Sequence, residues 1–159
     1  MKMYSTVFDE RGRITLVSDA LPWYGRSADV YCCPAEIQRI SVDMLRLDRQ
    51  TEEYVYCFCL DTACHITGIY EVSHGTVNHS LLSSREVYQK AFMAGAVRIV
   101  LVHNHPSGDP TPSETDKMVT GKLEDAGDLI GITLADHIII GTNSYYSFHD
   151  DEIFKETLI

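Results

Sequence analysis

The stretch Val97-Arg-Ile-Val-Leu-Val-His103-Asn-His105-Pro-Ser-Gly-Asp-Pro-Thr-Pro-Ser113-Glu-Thr-Asp116 decides the reading of this chain. Its first six residues are a short, branched, apolar run, which predicts a strand over 97–102. The next ten residues hold three prolines and a glycine, which neither a helix interior nor a central strand tolerates, so an ordered loop is expected. Beyond it, Val119, Leu123 and Ala126 recur at helical spacing from Ser113 onward, with Gly127 as the expected stop. Because strand side chains alternate, His103 and His105 share the parity of Val97, Ile99 and Leu101, and both imidazoles leave the strand end in one direction. Asp116, in the first turn of the following helix, can face back toward the same point.

Two nitrogens and one carboxylate oxygen, with a fourth position left to water, make the donor set of a catalytic zinc site rather than a closed structural one. Such an ion lowers the pKa of its water from ~15.7 toward ~7. A plainer reading stands beside this one. Ser113-Glu-Thr-Asp116 is also an ordinary helix start, with Ser as N-cap and an acidic residue three positions on, and a lone His-x-His pair can simply bond carbonyls. The conjunction of an apolar strand, two histidines, a rigid loop, Ser113 and Asp116 favours the site. Other His-x-His chemistries lack their partners. A metallo-β-lactamase-type site would continue as His-x-Asp-His, whereas Ser107 stands here, and a zinc deaminase would show His-x-Glu with Pro-Cys-x-x-Cys. A barrel amidohydrolase needs far more chain.

Outward from this stretch, the chain reads as an α/β domain with a mixed sheet of five or six strands flanked by three helices. Pro34 suits a first helical turn, with Ile37, Ile40, Met44 and Leu47 as one apolar stripe. Glu53–Leu60 is apolar on both parities, as in a strand covered on both faces, and a second strand is expected at about Cys64 to Ser73. Ser84 can cap a helix bearing Val87, Tyr88, Ala91 and Phe92, with Gly95 at its end. Ile132–Ile140 and Tyr145–Phe148 read as closing strands. Before Pro34, Tyr4–Phe8 and Ile14–Val17 suit a hairpin, followed by an aperiodic segment containing Trp23 and Tyr24. The expected division is therefore 1–33, a hairpin and loop segment, and 34–159, the main domain.

The chain has 159 residues and 23 acidic against 13 basic side chains, a formal charge of −10. With 45% hydrophobic and 23% charged residues it can bury a core without staples, and disorder, collagen and coiled coil are excluded. Nothing approaches the roughly 20 apolar residues of a spanning helix, and the N-terminus lacks a signal-peptide core, so a cytoplasmic protein with no membrane partner is expected. Five cysteines without a disulfide framework suit reduced thiols. The acidic balance disfavours direct nucleic-acid binding by this chain alone, since duplexes are gripped through Lys and Arg.

The pattern His103-x-His105-x7-Ser113-x2-Asp116 resembles the JAMM motif of the JAB/MPN metalloprotease family, and His103-Asn-His-Pro-Ser-Gly-Asp-Pro-Thr-Pro-Ser113 resembles its RadC branch. Asp136-His-Ile-Ile-Ile-Gly141 and Val77-Asn-His-Ser-Leu-Leu-Ser-Ser-Arg-Glu86 resemble RadC segments too, and the likeness runs from about Pro34 to the C-terminus. It implies a JAB/MPN (cytidine-deaminase-like) fold and a Zn²⁺ held by His103, His105 and Asp116. It also implies a Ser113 hydroxyl that orients the water or steadies the tetrahedral intermediate, and a glutamate at the start of an early strand as general base. Glu53 fits that position, with Glu52 one register away and Glu71 on the next strand as alternatives. His137 is implied to be a supporting residue rather than a ligand. The activity implied is hydrolysis of a peptide, amide or isopeptide, with a peptide or protein substrate. The alternative is an accessory domain that binds a partner in DNA repair or mobile-element maintenance, with a structural or idle zinc site. The helix-hairpin-helix module that full RadC proteins resemble has no counterpart in this sequence, which puts a DNA role in doubt.

Overall fold

The computed structural model describes residues 2–9, 11, 13–20, 33–75 and 82–155. Trp23, Tyr24, Cys32 and the RadC-like segment 77–81 lie outside the described residues. The elements run β1 (Lys2–Phe8), β2 (Ile14–Ala20), α1 (Pro34–Asp43), a 3₁₀ turn (Leu47–Arg49), β3 (Glu53–Leu60) and β4 (Ile66–Gly75). They continue with α2 (Ser84–Met93), β5 (Arg98–Asn104), α3 (Glu114–Ile130), β6 (Thr133–Ile140), β7 (Ser144–Ser147) and β8 (Glu152–Lys155). One sheet of eight strands results, in the order β2-β1-β4-β3-β5-β6-β7-β8. It is mixed: β1 runs parallel to β4 and β5 to β6, and the other neighbours are antiparallel.

Alternation along the central strands builds two apolar layers. Tyr56, Phe58 and Leu60 of β3 face α1 with Val100, Val102, Ile138 and Ile140, and Ile37 and Ile40 close that side. Val55, Cys57 and Cys59 face the other way with Ile99 and Leu101, under Val87 and Ala91 of α2 and Val119 and Leu123 of α3. The strand apolar on both parities is thus covered on both faces. His103 continues the parity of Ile99 and Leu101 and so emerges beneath α3.

Several boundaries differ from the sequence expectation, each for a physical reason. The first helix ends at Asp43, and Arg46 turns left-handed (φ 56) into the 3₁₀ turn, which buries Leu47 without continuing the helix. Ser83, not Ser84, is the N-cap of α2. The third helix passes through Gly127 and stops at Gly131, whose φ of 76 supplies the left-handed C-cap. Gly127 is there for close packing. A Cβ on it would lie 2.4 Å from both the Ile132 carbonyl and the Tyr88 hydroxyl, and that hydroxyl donates to the Leu123 carbonyl at 2.7 Å, joining α2 to α3. The N-terminal hairpin is no loose appendage: Met3 and Tyr4 pair with Ile69 and Tyr70, which extends the sheet. The eighth strand was not anticipated. Cys33, Cys57 and Cys59 are free thiols, but Cys64 is disulfide-bonded, which corrects the expectation of reduced cysteines at that position. Among the described residues no helix is long and apolar enough to cross a membrane.

Gly127 and Gly121 share one helix but differ in surroundings, since a Cβ at Gly121 meets nothing within 4 Å. Gly127→Ala is expected to destabilise by about 1–3 kcal/mol through overpacking, whereas Gly121→Ala should stabilise by up to about 1 kcal/mol through helix propensity. Urea denaturation of the two variants checks this; equal effects would show that α2 and α3 are not packed through Gly127.

Candidate metal centre

The strand β5 ends at Asn104, and His103 sits at its edge, 3% exposed and aimed under α3. His105 is the first loop residue, tied back by its amide to the Ile140 carbonyl at 3.0 Å. The loop is pinned further by Gly108 N–H to His105 carbonyl (2.9 Å) and Thr142 N–H to Gly108 carbonyl (3.1 Å). Asp116, 4% exposed, is the third residue of α3. Ser113 is its N-cap. The Asp116 N–H donates to Ser113 Oγ at 3.2 Å, while Asp116 Oδ2 accepts from Ser113 N–H at 2.7 Å and from the Ser113 hydroxyl at 2.6 Å. The plain helix-start reading and the ligand reading therefore both describe these residues: the capping box aims the carboxylate.

The three predicted ligands come together, each offering an atom within 4.8 Å of the others. The Nε2 atoms of His103 and His105 are 3.1 Å apart; His103 Nε2 lies 3.4 Å from Asp116 Oδ1, and His105 Nε2 lies 3.5 Å from Asp116 Oδ2. Zinc bonds of about 2.0–2.1 Å imply ligand separations of about 3.3–3.4 Å in a tetrahedron, so these spacings are of the size one shared ion requires, with the two imidazoles meeting different oxygens of the carboxylate.

The hydrogen bonds around the imidazoles set their tautomers. His105 Nδ1 faces the Asp109 carbonyl at 2.8 Å, an acceptor only, so Nδ1 carries the proton and Nε2 presents a lone pair. His103 reaches the same state through a longer chain. The Thr120 hydroxyl donates to the Asp116 carbonyl (2.7 Å) and so accepts from His137 Nδ1–H (2.7 Å). Neutral His137 then accepts at Nε2 from His103 Nδ1–H at 2.8 Å, leaving His103 Nε2 bare. Burial holds His137 neutral by pushing its pKa down to about 4, with Asp116 opposing and His105 adding to the shift. In their neutral forms both imidazoles therefore turn an Nε2 lone pair toward the Asp116 carboxylate, a donor set that suits a cation. The same carboxylate also favours a proton on His105. Burial disfavours charge on His105, yet the bonds to Asp116 and the Asp109 carbonyl and the charges of Asp116 and Glu53 raise its pKa. Burial likewise opposes ionisation of Asp116, but His105, His103 and Ser113 hold it below the usual carboxylate range.

The remaining candidates separate cleanly. Glu53 opens β3 and lines one small recess with Val55, Leu101, His103, Asp116 and His137. Glu52 is exposed at the strand entrance. Glu71 pairs with Tyr56 and its carboxylate meets the Tyr56 hydroxyl at 3.3 Å and His74 at 2.7 Å. Tyr56 belongs to the α1 layer, so Glu71 is turned away from the histidines. Sequence reasoning did not single out Thr120. Its only signal was its place one helical turn after Asp116, on the inward face.

Thr120→Val keeps the shape of that side chain but removes the acceptor for His137 Nδ1–H. It is expected to weaken the affinity of the candidate site for an added divalent metal by roughly 10–100-fold, as measured by chelator competition; unchanged affinity would show that the bonded chain does not set the His103 tautomer. His137 also predicts a pH response of the metal-free protein. Its folded pKa lies below the ordinary 6.5, so its contribution is present above pH 6.5 and is lost as pH falls toward 4. Denaturation between these pH values should show a steeper acid loss for the natural chain than for His137→Gln; parallel curves would exclude a neutral buried imidazole.

A family model described as the RadC-like JAB domain matches residues 32–153. A UPF0758 protein of Thermotoga maritima is 38% identical over 116 residues, which cover 73% of this chain and 51% of the relative. A UPF0758 protein of Desulfitobacterium hafniense is 39% identical over 142 residues, covering 89% and 59% respectively, and one of Geotalea uraniireducens is 46% identical over 99 residues, covering 62% and 43%. The chain spans about half the length of the curated relatives it matches. With the family match running through both histidines, Ser113 and Asp116, the chain belongs to the RadC-like JAB domain family.

Proposed function

We propose that this chain is a zinc-dependent hydrolase of the JAMM type, a metallopeptidase or isopeptidase that cleaves an amide bond in a peptide or protein substrate. The observation that carries the proposal is the convergence of the His103 and His105 Nε2 atoms and the Asp116 carboxylate beside a recess that Glu53 also lines. His103, His105 and Asp116 would hold the zinc, which would supply Lewis acidity and a water acidified toward neutral pH. Glu53, which lines the same recess, would take a proton from the attacking water and return it to the leaving amine. Ser113 fixes the acceptor oxygen of Asp116 in the resting arrangement. To donate to a developing oxyanion it must turn its hydroxyl from Asp116 Oδ2, a rotation about one side-chain bond.

The charge of −10 supports a protein or peptide substrate over a phosphodiester, and it disfavours a nuclease reading. The cytoplasmic setting read from the sequence belongs to this proposal as well. Because the match covers only about half of the relatives' length, substrate selection by the whole protein is part of the proposal rather than a property of this domain.

The test is to purify the protein without chelator, quantify its metal, and offer it a peptide and isopeptide library. About one zinc per chain is expected, with turnover reduced at least ~10²-fold in Glu53→Ala. Full zinc occupancy in Asp116→Ala would refute the ligand set. Stoichiometric zinc with no cleavage of any library member would leave the centre structural.

A further inference from the structure

We infer that Asn104 is a positioning residue that holds Glu53 in register with the two histidines. Asn104 is 1% exposed, so its amide must find partners inside the protein. It finds two, both on the backbone of β3. Asn104 Nδ2 donates to the Glu52 carbonyl at 3.0 Å, and Asn104 Oδ1 accepts from the Tyr54 N–H at 2.8 Å. One partner can only accept and the other can only donate, so the orientation of the amide is fixed by chemistry. The two bonds grip the residues immediately before and after Glu53.

Register explains why a side chain is needed there. Backbone pairing between β3 and β5 runs from Leu60 opposite Arg98 to Val55 opposite His103, and stops. Glu53 lies beyond the last rung on that edge of β3, while on the other edge it still pairs with Gly75 of β4. The Asn104 amide supplies the hold on the β5 side that the ladder no longer gives. It reaches β3 from the face opposite His103, because consecutive residues of β5 alternate, and so leaves the histidine's own contacts undisturbed. His103, Asn104 and His105 then have a joint logic: the outer two present nitrogens to the cation site, and the middle one clamps the carboxylate across from them. Asp at this position would lack the donor for the Glu52 carbonyl. Ala would lack both atoms, and Gln would carry them one methylene too far.

This inference rests on the assignment of Glu53 to the metal site, and its test does not require a known substrate. Protein loaded with Co²⁺ is compared as the natural chain, Asn104→Ala, Glu53→Gln and the double variant. The readouts are the visible absorption of the ion, its affinity by chelator competition, and hydrogen exchange of the Tyr54 amide. Glu53→Gln is expected to shift the Co²⁺ bands, Asn104→Ala to shift them in the same direction, and the double variant to match Glu53→Gln alone, since Asn104 acts through Glu53. Affinity should stay within about threefold, because the ligands keep their own supports, while Tyr54 exchange accelerates at least ~10-fold. Asn104→Asp, which keeps the acceptor for Tyr54 N–H, should fall between the two extremes and serves if Asn104→Ala does not fold. A natural spectrum in Asn104→Ala, unchanged Tyr54 exchange, or a band shift that adds to that of Glu53→Gln would overturn the inference. If Glu53→Gln itself leaves the bands unmoved, Glu53 is not beside the ion, and that result removes both its assignment as base and the positioning role. Absence of hydrolysis with the expected spectral pattern would instead count against the hydrolase reading alone.

Discussion

Two imidazole nitrogens 3.1 Å apart, facing one carboxylate, must share a positive charge, whether a proton or a metal ion. Everything local to the site serves to hold that arrangement in place. The Asp109 carbonyl occupies the far nitrogen of His105, and His137 occupies that of His103. The capping box of α3 keeps the Asp116 carboxylate facing the pair. The donors are thus oriented by the fold itself, which is what makes the site a candidate metal centre.

The sheet makes this possible because its central strand separates two tasks. On β5, Leu101 and His103 look toward α2 and α3, while Val102 looks toward α1, so one strand contributes to both cores. Placing His103 at the strand's end lets the apolar layer supply rigidity up to the last residues before the polar loop. Thr120 then connects the helix to the sheet through His137, so the Asp116 backbone carbonyl and the His103 imidazole are joined by one bonded chain.

Much of this was legible in the sequence, and the remainder was hidden for identifiable reasons. The third strand was readable to the residue, since a fully apolar run bounded by polar residues admits one assignment. The convergence of His103, His105 and Asp116 was readable because alternation and the position of Asp116 in a first helical turn are short-range rules. The end of α1 was not, because Met44 and Leu47 keep helical spacing while Arg46 leaves the helix. Gly127 reads as a stop, and only the Tyr88 hydroxyl, from another helix, reveals it as a packing residue. The strand Glu152–Lys155 has too few residues to show a period. Thr120 was missed because its partner His137 lies 17 residues away, and local pattern carries no information at that range.

The loop between the second histidine and α3 has one further consequence. A methyl on Gly108 would sit 2.3 Å from Thr142 Oγ1, and one on Gly141 would sit 2.5 Å from the Gly108 carbonyl, so the loop and the β6–β7 turn touch backbone to backbone. A segment seated this closely does not swing. It behaves as a fixed wall of the cleft, already ordered before anything arrives, and an incoming chain spends none of its affinity on folding it down. Access to the metal centre is then governed from the opposite bank, where Leu82 and the first residues of β3 border the same recess.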